Sequence, residues 1–315
     1  MVQSGSDMES AVLCLQNGEL VGIPTETVYG LAANALNAEA VAKIFTAKNR
    51  PFFDPLIVHL HDISEAERYV QSLPEKARML AEAFWPGPLT LVLPKKEIIP
   101  DLVTAGHDTV GIRVPSHPVC LELLRKLSFP LAAPSANPFG YVSPTTAQHV
   151  AEQLGDKTCY ILDGGPCRVG VESTIVGFPQ GEPVIYRLGG IAVEQISAVI
   201  GPVTEQISSG SNPSAPGQMD VHYSPRCKVI LDFGQPISDN PDKAYLRYAE
   251  PLPGIEAERQ LILSSEKNLE EAAVNLFAML RQLDHEGYHS IVAELVPETG
   301  LGRAINDRLR RAAAK

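Results

Sequence analysis

The sequence predicts an α/β protein of two domains joined by a linker. Three observations carry that reading. Short apolar runs closed by proline or glycine alternate with helical periodicity from residue 9 to residue 201. Residues 202–227, PVTEQISSGSNPSAPGQMDVHYSPRC, lose the periodicity and are rich in Ser, Pro and Gly, the composition of a linker. A second β/α alternation starts at Lys228 and runs to residue 315. The expected division is 1–201, 202–227 and 228–315, the last near the small end of domain size.

The larger domain is organised around residues 22–60, read as strand, polar turn, helix, basic turn and strand. The apolar run at 20–23 stops at Pro24, and Thr25, Glu26 and Thr27 follow where open α/β sheets place ligands. Val41, Ile44, Phe45 and Lys48 keep helical spacing. The helix ends near Lys48, because Arg50 precedes Pro51 and is pushed out of the α region. An extended segment there would aim Lys48 and Arg50 to one side. Cations are also common at a solvated helix end. Residues 130–150, PLAAPSANPFGYVSPTTAQHV, repeat the logic. Ser135 and Asn137 lie two apart between Pro134 and Pro138 and should share a side. Ser143 reads as an N-cap with Pro144 at the first helical position and Gly155 closing the helix. Such a helix start is either a plain cap or a phosphate seat.

In chain order, residues 1–8 are polar and read as loose, and 9–16 as a helix. Segment 64–85 is helical in two parts broken at Pro74, and a helix spans 118–127. Strands are expected at 56–60, 89–93, 109–114, 131–133, 160–162, 173–176 and 184–186, and a helix at 193–200. Arg113, within GIRVP, needs an anionic partner, either a structural acid or a substrate carboxylate. The linker is crowded near its end with His222, Tyr223 and Arg226, so it either tethers or lies over a site. The second domain offers strands at 229–231, 244–248, 261–263 and 290–294, and helices at 268–285 and 303–314. It has no GxGxxG and no P-loop, so no organic cofactor is indicated.

Composition narrows the class. Hydrophobic content of 44% with 20% charged residues fits a soluble globular protein, and a net charge of -11 does not advertise nucleic-acid binding. Five cysteines are widely spaced with no CxxC pair, so neither a zinc ribbon nor a disulfide framework is expected, which favours a reducing, cytoplasmic setting. No run approaches the length of a membrane span. His59 and His61 have no third ligand nearby, and no metal site is assigned to side chains. Lys48, Arg50, Arg113 and Arg187, with Thr25, Thr27, Ser135, Asn137, Ser143, Ser173 and Thr174, suit a nucleotide or carboxylate held by side chains. GxSxG and HExxH are both absent. Chemistry by positioning and charge neutralisation follows.

PTETVYGL, KNRP with PLIVH downstream, GIRVP and APSANPFGYVSPT together resemble the threonylcarbamoyl-AMP synthases of the YrdC-like family. HYSP at 222–225 before a small α/β domain resembles the long two-domain form. The resemblance implies a YrdC-like twisted mixed sheet flanked by helices, with a positively charged concave face. A small Rossmann-like C-terminal domain would follow, joined by a long linker that covers the site. It implies a nucleotidyltransferase that makes threonylcarbamoyl-AMP and pyrophosphate from L-threonine, bicarbonate and ATP, with Mg²⁺ accompanying ATP. The product would pass to a separate transferase complex acting at tRNA position 37, with weak or no direct tRNA binding. Thr27, His59 and Arg113 would contact threonine. Lys48, Arg50, Asp54, Ser135, Asn137, Ser143 and Arg187 would hold ATP, with Tyr223 closing over it and Lys48 and Arg50 catalytic. Asp54 departs from the asparagine common there, and an anion beside a triphosphate is unfavourable unless a cation lies between. The second domain is expected to clamp the linker. Two competing readings are an RNA-binding protein using a basic concave sheet, opposed by the acidic charge, and a hydrogenase-maturation-like carbamoyl-transfer domain. The latter would carry zinc-finger and acylphosphatase-like segments that this chain lacks.

Overall fold

The computed structural model describes residues 3–207, 215–218, 222–234 and 240–315. Its first sheet is built from β1 (Gln3–Gly5), β2 (Val21–Ile23), β3 (Gly30–Asn34), β4 (Ile57–His59), β5 (Leu89–Pro94), β6 (Thr109–Arg113), β7 (Leu131–Ala132), β8 (Tyr160–Leu162), β9 (Thr174–Gly177), β10 (Val184–Arg187) and β11 (Thr204–Glu205). Their order is β1-β8-β2-β3-β7-β4-β6-β5-β9-β10-β11. Parallel pairs such as β4 with β6 stand beside antiparallel ones such as β5 with β6, so the sheet is mixed. The second sheet holds β12 (Lys228–Asp232), β13 (Lys243–Arg247), β14 (Gln260–Ile262) and β15 (Ser290–Glu294) in the order β12-β15-β13-β14, all parallel. Among the described residues no helix is long and apolar enough to cross a membrane.

Most elements follow the periodicity. Helix Ala38–Lys48 starts under Asn37, whose side chain accepts from Glu39 and Ala40, and it buries Val41, Ile44 and Phe45. It ends because Asn49 takes the left-handed conformation (φ 52°), which short polar side chains tolerate. Arg50 is thus not on an extended run with Lys48. Its amide folds back onto the Phe45 carbonyl at 2.9 Å, and that turn, rather than strand alternation, directs its side chain.

Four expectations are corrected. GLAAN at 30–34 is a strand, not part of a polar turn; it pairs antiparallel with β2 and gains a bridge from Gly30 to Ser135. Residues 3–5 are not loose but add a parallel edge strand to β8. The helix after Ser143 starts later, as Ala147–Leu154, under Thr146, which accepts from the His149 amide. Ser143 does not cap it, because its hydroxyl donates instead to the buried Glu172 carboxylate at 2.6 Å. Cys14 and Cys159, 145 residues apart, form a disulfide with Cα atoms 6.2 Å apart. Spacing along the chain could not reveal a pair made by laying helix Met8–Gln16 beside β8.

The second domain packs on the loops that carry the first domain's polar residues. Val28, Val142 and Val171 share one apolar cluster with Leu276, Phe277, Leu280 and Leu309. Arg281, on helix Leu269–His285, reaches across to donate to the carbonyls of Val142 and Ser143 and to Gln153. Its guanidinium carbon lies 5.1 Å from the Tyr141 ring centroid. The domain therefore buttresses the stretch 141–143 as well as the linker.

Candidate active site

Strand ends converge on a cavity of about 50 Å³. Parallel pairing sets His59, the last residue of β4, beside Arg113, the last residue of β6. Thr27, Arg50, Ser135, Ser173 and Arg187 line the same cavity, and Pro216, Gly217, His222 and Tyr223 close it from the linker. Gly217 is required where it stands: at φ +84° a Cβ would lie 2.9 Å from the Tyr223 hydroxyl and 3.0 Å from Arg187 Cδ.

One half of the cavity gathers Thr27, His59 and Arg113. The Thr27 hydroxyl lies 2.8 Å from that of Thr25. His59 Nδ1 sits 3.2 Å from the Ile57 carbonyl, and burial together with the nearby Arg113 charge pushes its pKa down to about 3, so the ring is neutral. Arg113 donates to Glu26 Oε1 at 2.6 Å and to the Gly87 carbonyl at 3.3 Å. The anionic partner it needs is therefore met by a structural acid. Glu26 Oε2 is buried without a hydrogen bond.

The other half is cationic. Lys48 is 1% exposed, and Nζ donates to the carbonyls of Ser135, at 2.5 Å, and Asn137. Burial and Arg50 hold its pKa well below the usual lysine range. Lys48 and Arg50 are thus gathered beside the serine–asparagine stretch rather than splayed into solvent. Lys48 itself does not line the cavity, whereas Arg50 does. Arg50 donates to the carbonyls of Asp54 (3.1 Å) and Pro55 (2.8 Å), and its Nη2 lies 2.9 Å from Asp54 Oδ1. That contact is off the line of a hydrogen bond, and neither Asp54 oxygen has another partner. Burial raises the Asp54 pKa against the pull of Arg50, Lys48 and Arg187. Asn137 braces its own loop, donating to Pro138 and Tyr141, while its Oδ1 is left buried without a donor. Arg187 donates to Ser173 through both carbonyl and hydroxyl, and to the Pro216 carbonyl. Tyr223, at φ 63°, stacks on Phe277 with centroids 5.6 Å apart and lies 4.0 Å from the His222 ring centroid. Burial lifts its hydroxyl pKa to about 12.

Of the residues singled out from sequence, Thr27, Arg50, His59, Arg113, Ser135, Arg187 and Tyr223 meet at the cavity. Lys48, Asp54 and Asn137 stand beside them, and Ser143 is one residue removed, bonded to Glu172, which does line the cavity. His61 leaves the site and pairs with Glu65. Glu26, named with Thr25 and Thr27 at the strand end, reaches the site as the partner of Arg113, whereas Glu172 and Arg308 were not singled out. The available signal was a charge on an apolar stripe: Glu172 follows Val171, and Arg308 shares a helix face with Ile305, Leu309 and Ala312. Among the described residues no group of three or more His, Cys, Asp or Glu is placed to hold a metal ion.

A family model for Sua5, YciO and YrdC, described as telomere recombination, matches residues 14–189. The chain belongs to this family. A second model, described as the C-terminal domain of threonylcarbamoyl-AMP synthase, matches residues 191–314. The threonylcarbamoyl-AMP synthase of Pyrococcus abyssi is 42% identical, with 95% of this chain and 91% of the relative covered. That of Bacillus subtilis is 43% identical over 96% and 92%. Among solved structures, P. abyssi Sua5 complexed with L-threonine superposes with a TM-score of 0.91 at 38% identity, covering 100% of this chain and 98% of that one. The expected two-domain mixed α/β architecture of the family is the one observed.

Proposed function

We propose that this family member makes threonylcarbamoyl-AMP and pyrophosphate from L-threonine, bicarbonate and ATP. The observation that carries the reading is the juxtaposition in one cavity of Thr27, His59 and Arg113 with Arg50, Ser135 and Arg187. The named synthases that resemble the chain, and the relative bound to L-threonine, support it. Arg113, held by Glu26 and the Gly87 carbonyl, would offer threonine's carboxylate its remaining Nη1 donors. Neutral His59 is suited to a hydrogen bond with the substrate hydroxyl rather than to carrying charge. Bicarbonate carboxylates the threonine amine, a C–N bond forming as one bicarbonate C–O bond breaks, and its hydroxide leaves with an amine proton as water, giving N-carboxythreonine. Its carboxylate then attacks the α-phosphorus, and the bond to the bridging oxygen of pyrophosphate breaks. Arg50, which lines the cavity, neutralises the charge that grows on the phosphoryl oxygens, and Lys48 holds the Ser135 and Asn137 carbonyls in place beside it. Mg²⁺ would accompany ATP as part of the substrate, offsetting charge on the phosphates.

The cavity of about 50 Å³ is several-fold below the roughly 300–1,000 Å³ of ordinary ligand pockets. Pro216, Gly217, His222 and Tyr223 close the cavity from the linker, so on this reading they would withdraw to admit ATP and return over it. The product serves a tRNA-modifying transferase complex in the cytoplasm that acts at adenosine 37. The reading is tested by pyrophosphate release from ATP. Release should require both threonine and bicarbonate, prefer threonine to serine, and fall about 100- to 1,000-fold in Lys48→Ala. Turnover that ignores threonine, or that survives the substitution, refutes it.

A further inference from the structure

The charge balance of the cavity is completed from outside the first domain. Arg308 lies on helix Gly302–Ala313 and is 0% exposed. Its Nε donates to Glu172 Oε2 at 2.9 Å, its Nη1 to Asp307 Oδ2 at 2.7 Å, and its Nη2 to the Leu188 carbonyl at 2.8 Å. Its guanidinium carbon lies 4.9 Å from the Tyr223 ring centroid. Glu172 lines the cavity, and its other oxygen accepts from Ser143. A close approach fixes its backbone, since a Cβ on Gly189 would meet the Glu172 carbonyl at 2.3 Å. Arg311 pairs with the same Asp307 at 3.0 Å, so Glu172 and Asp307 are matched by Arg308 and Arg311, two against two.

We propose that Arg308 is a positioning residue: by neutralising Glu172 from the second domain it leaves Arg187 available to an anionic ligand. The inference rests on the cavity accepting ATP. Glu172 and Arg187 stand in the same wall and attract one another. Without Arg308 the carboxylate would take Arg187 as its counter-ion or stand bare beside the phosphates, and either weakens nucleotide binding. The threonine half, built on Thr27, His59 and Arg113, has its own acid in Glu26 and should be affected less. Arg308 also sits against Tyr223, so the second domain acts on the closing residue and on the phosphate-facing charge through one side chain.

The test compares wild type, Arg308→Met, Arg308→Lys and Glu172→Gln/Arg308→Met, each checked for folding by circular dichroism. The Michaelis constants for ATP and threonine are measured in the pyrophosphate assay. Arg308→Met should raise the ATP constant by about tenfold or more while changing the threonine constant by less than about threefold. Arg308→Lys, which keeps the charge, should recover most of the loss. The double variant should bind ATP within about threefold of wild type, because no uncompensated carboxylate is left. An unchanged ATP constant in Arg308→Met, equal effects on both substrates, or a double variant that binds ATP no better than Arg308→Met would overturn the proposal. Should Arg308→Met not fold, the double variant decides alone: an ATP constant raised tenfold or more refutes the pair. Threonine-independent turnover by wild type would refute the function instead, a result separable from any ratio between variants.

Discussion

Replacing Asp54 by Asn should tighten nucleotide binding. The Asp54 carboxylate sits 2.9 Å from Arg50 Nη2, yet neither oxygen receives a hydrogen bond in line. Arg50 does not depend on it for placement, because the Asp54 and Pro55 carbonyls hold the guanidinium at 3.1 and 2.8 Å. A phosphate accepting from the far side of that guanidinium would lie roughly 6 Å from the carboxylate, where an effective dielectric constant near 20 gives about 3 kcal/mol of repulsion per charge pair. Asparagine keeps the shape and removes the charge, so at a pH where Asp54 is ionised the Kd for ATP should fall about 10- to 100-fold, and the gain should shrink as pH falls through the raised folded pKa. Stability should not suffer. Burial raises the Asp54 pKa in the folded state, so the charged form is disfavoured there, and this group's contribution is present at low pH and lost as pH rises through the folded value. The assay is titration of each protein with ATP, together with urea unfolding at pH 7. Unchanged or weaker ATP binding by Asp54→Asn would show that the carboxylate does not oppose the phosphates and would refute the reasoning.

Arg281→Ala strips donors from the buried carbonyls of Val142 and Ser143 and from Gln153, and unsatisfied acceptors of this kind cost about 1–3 kcal/mol each. Urea unfolding should show a loss of about 3–5 kcal/mol, and a loss below about 1 kcal/mol would mean that the second domain is not stapled through this residue. His59 titrates near 3 in the folded state and near 6.5 unfolded, so its contribution is intact above pH 6.5 and is lost as pH falls, at about 1.4 kcal/mol per unit. The stability difference between wild type and His59→Gln should therefore change with that slope between pH 6 and 4, and parallel curves would contradict the buried neutral ring. Reducing the Cys14–Cys159 bond, which spans 145 residues, should lower stability by about 2–5 kcal/mol in wild type and leave Cys14→Ser/Cys159→Ser unmoved. Equal urea midpoints for wild type with and without reductant would refute it.

The sequence by itself determined the alternation of strands and helices and several of the cations and hydroxyls that gather at the cavity, among them Arg50, Arg113, Arg187, Thr27 and Ser135; within the stretch read as linker from residue 202, Thr204–Glu205 still pairs with β10 of the first sheet. These are local properties: a two- or 3.6-residue period and the stereochemistry of proline fix direction within a few residues. The short strand GLAAN escaped because it is buried on both faces and shows no alternation to read. Only the tertiary structure decided which charge meets which. Arg113 is satisfied by Glu26 across 87 residues and Glu172 by Arg308 across 136, and Cys14 finds Cys159 across 145. A buried ion must find its partner wherever the topology brings one near, and that choice is made when β4 pairs with β6 and the last helix docks beneath the linker, not by any spacing along the chain.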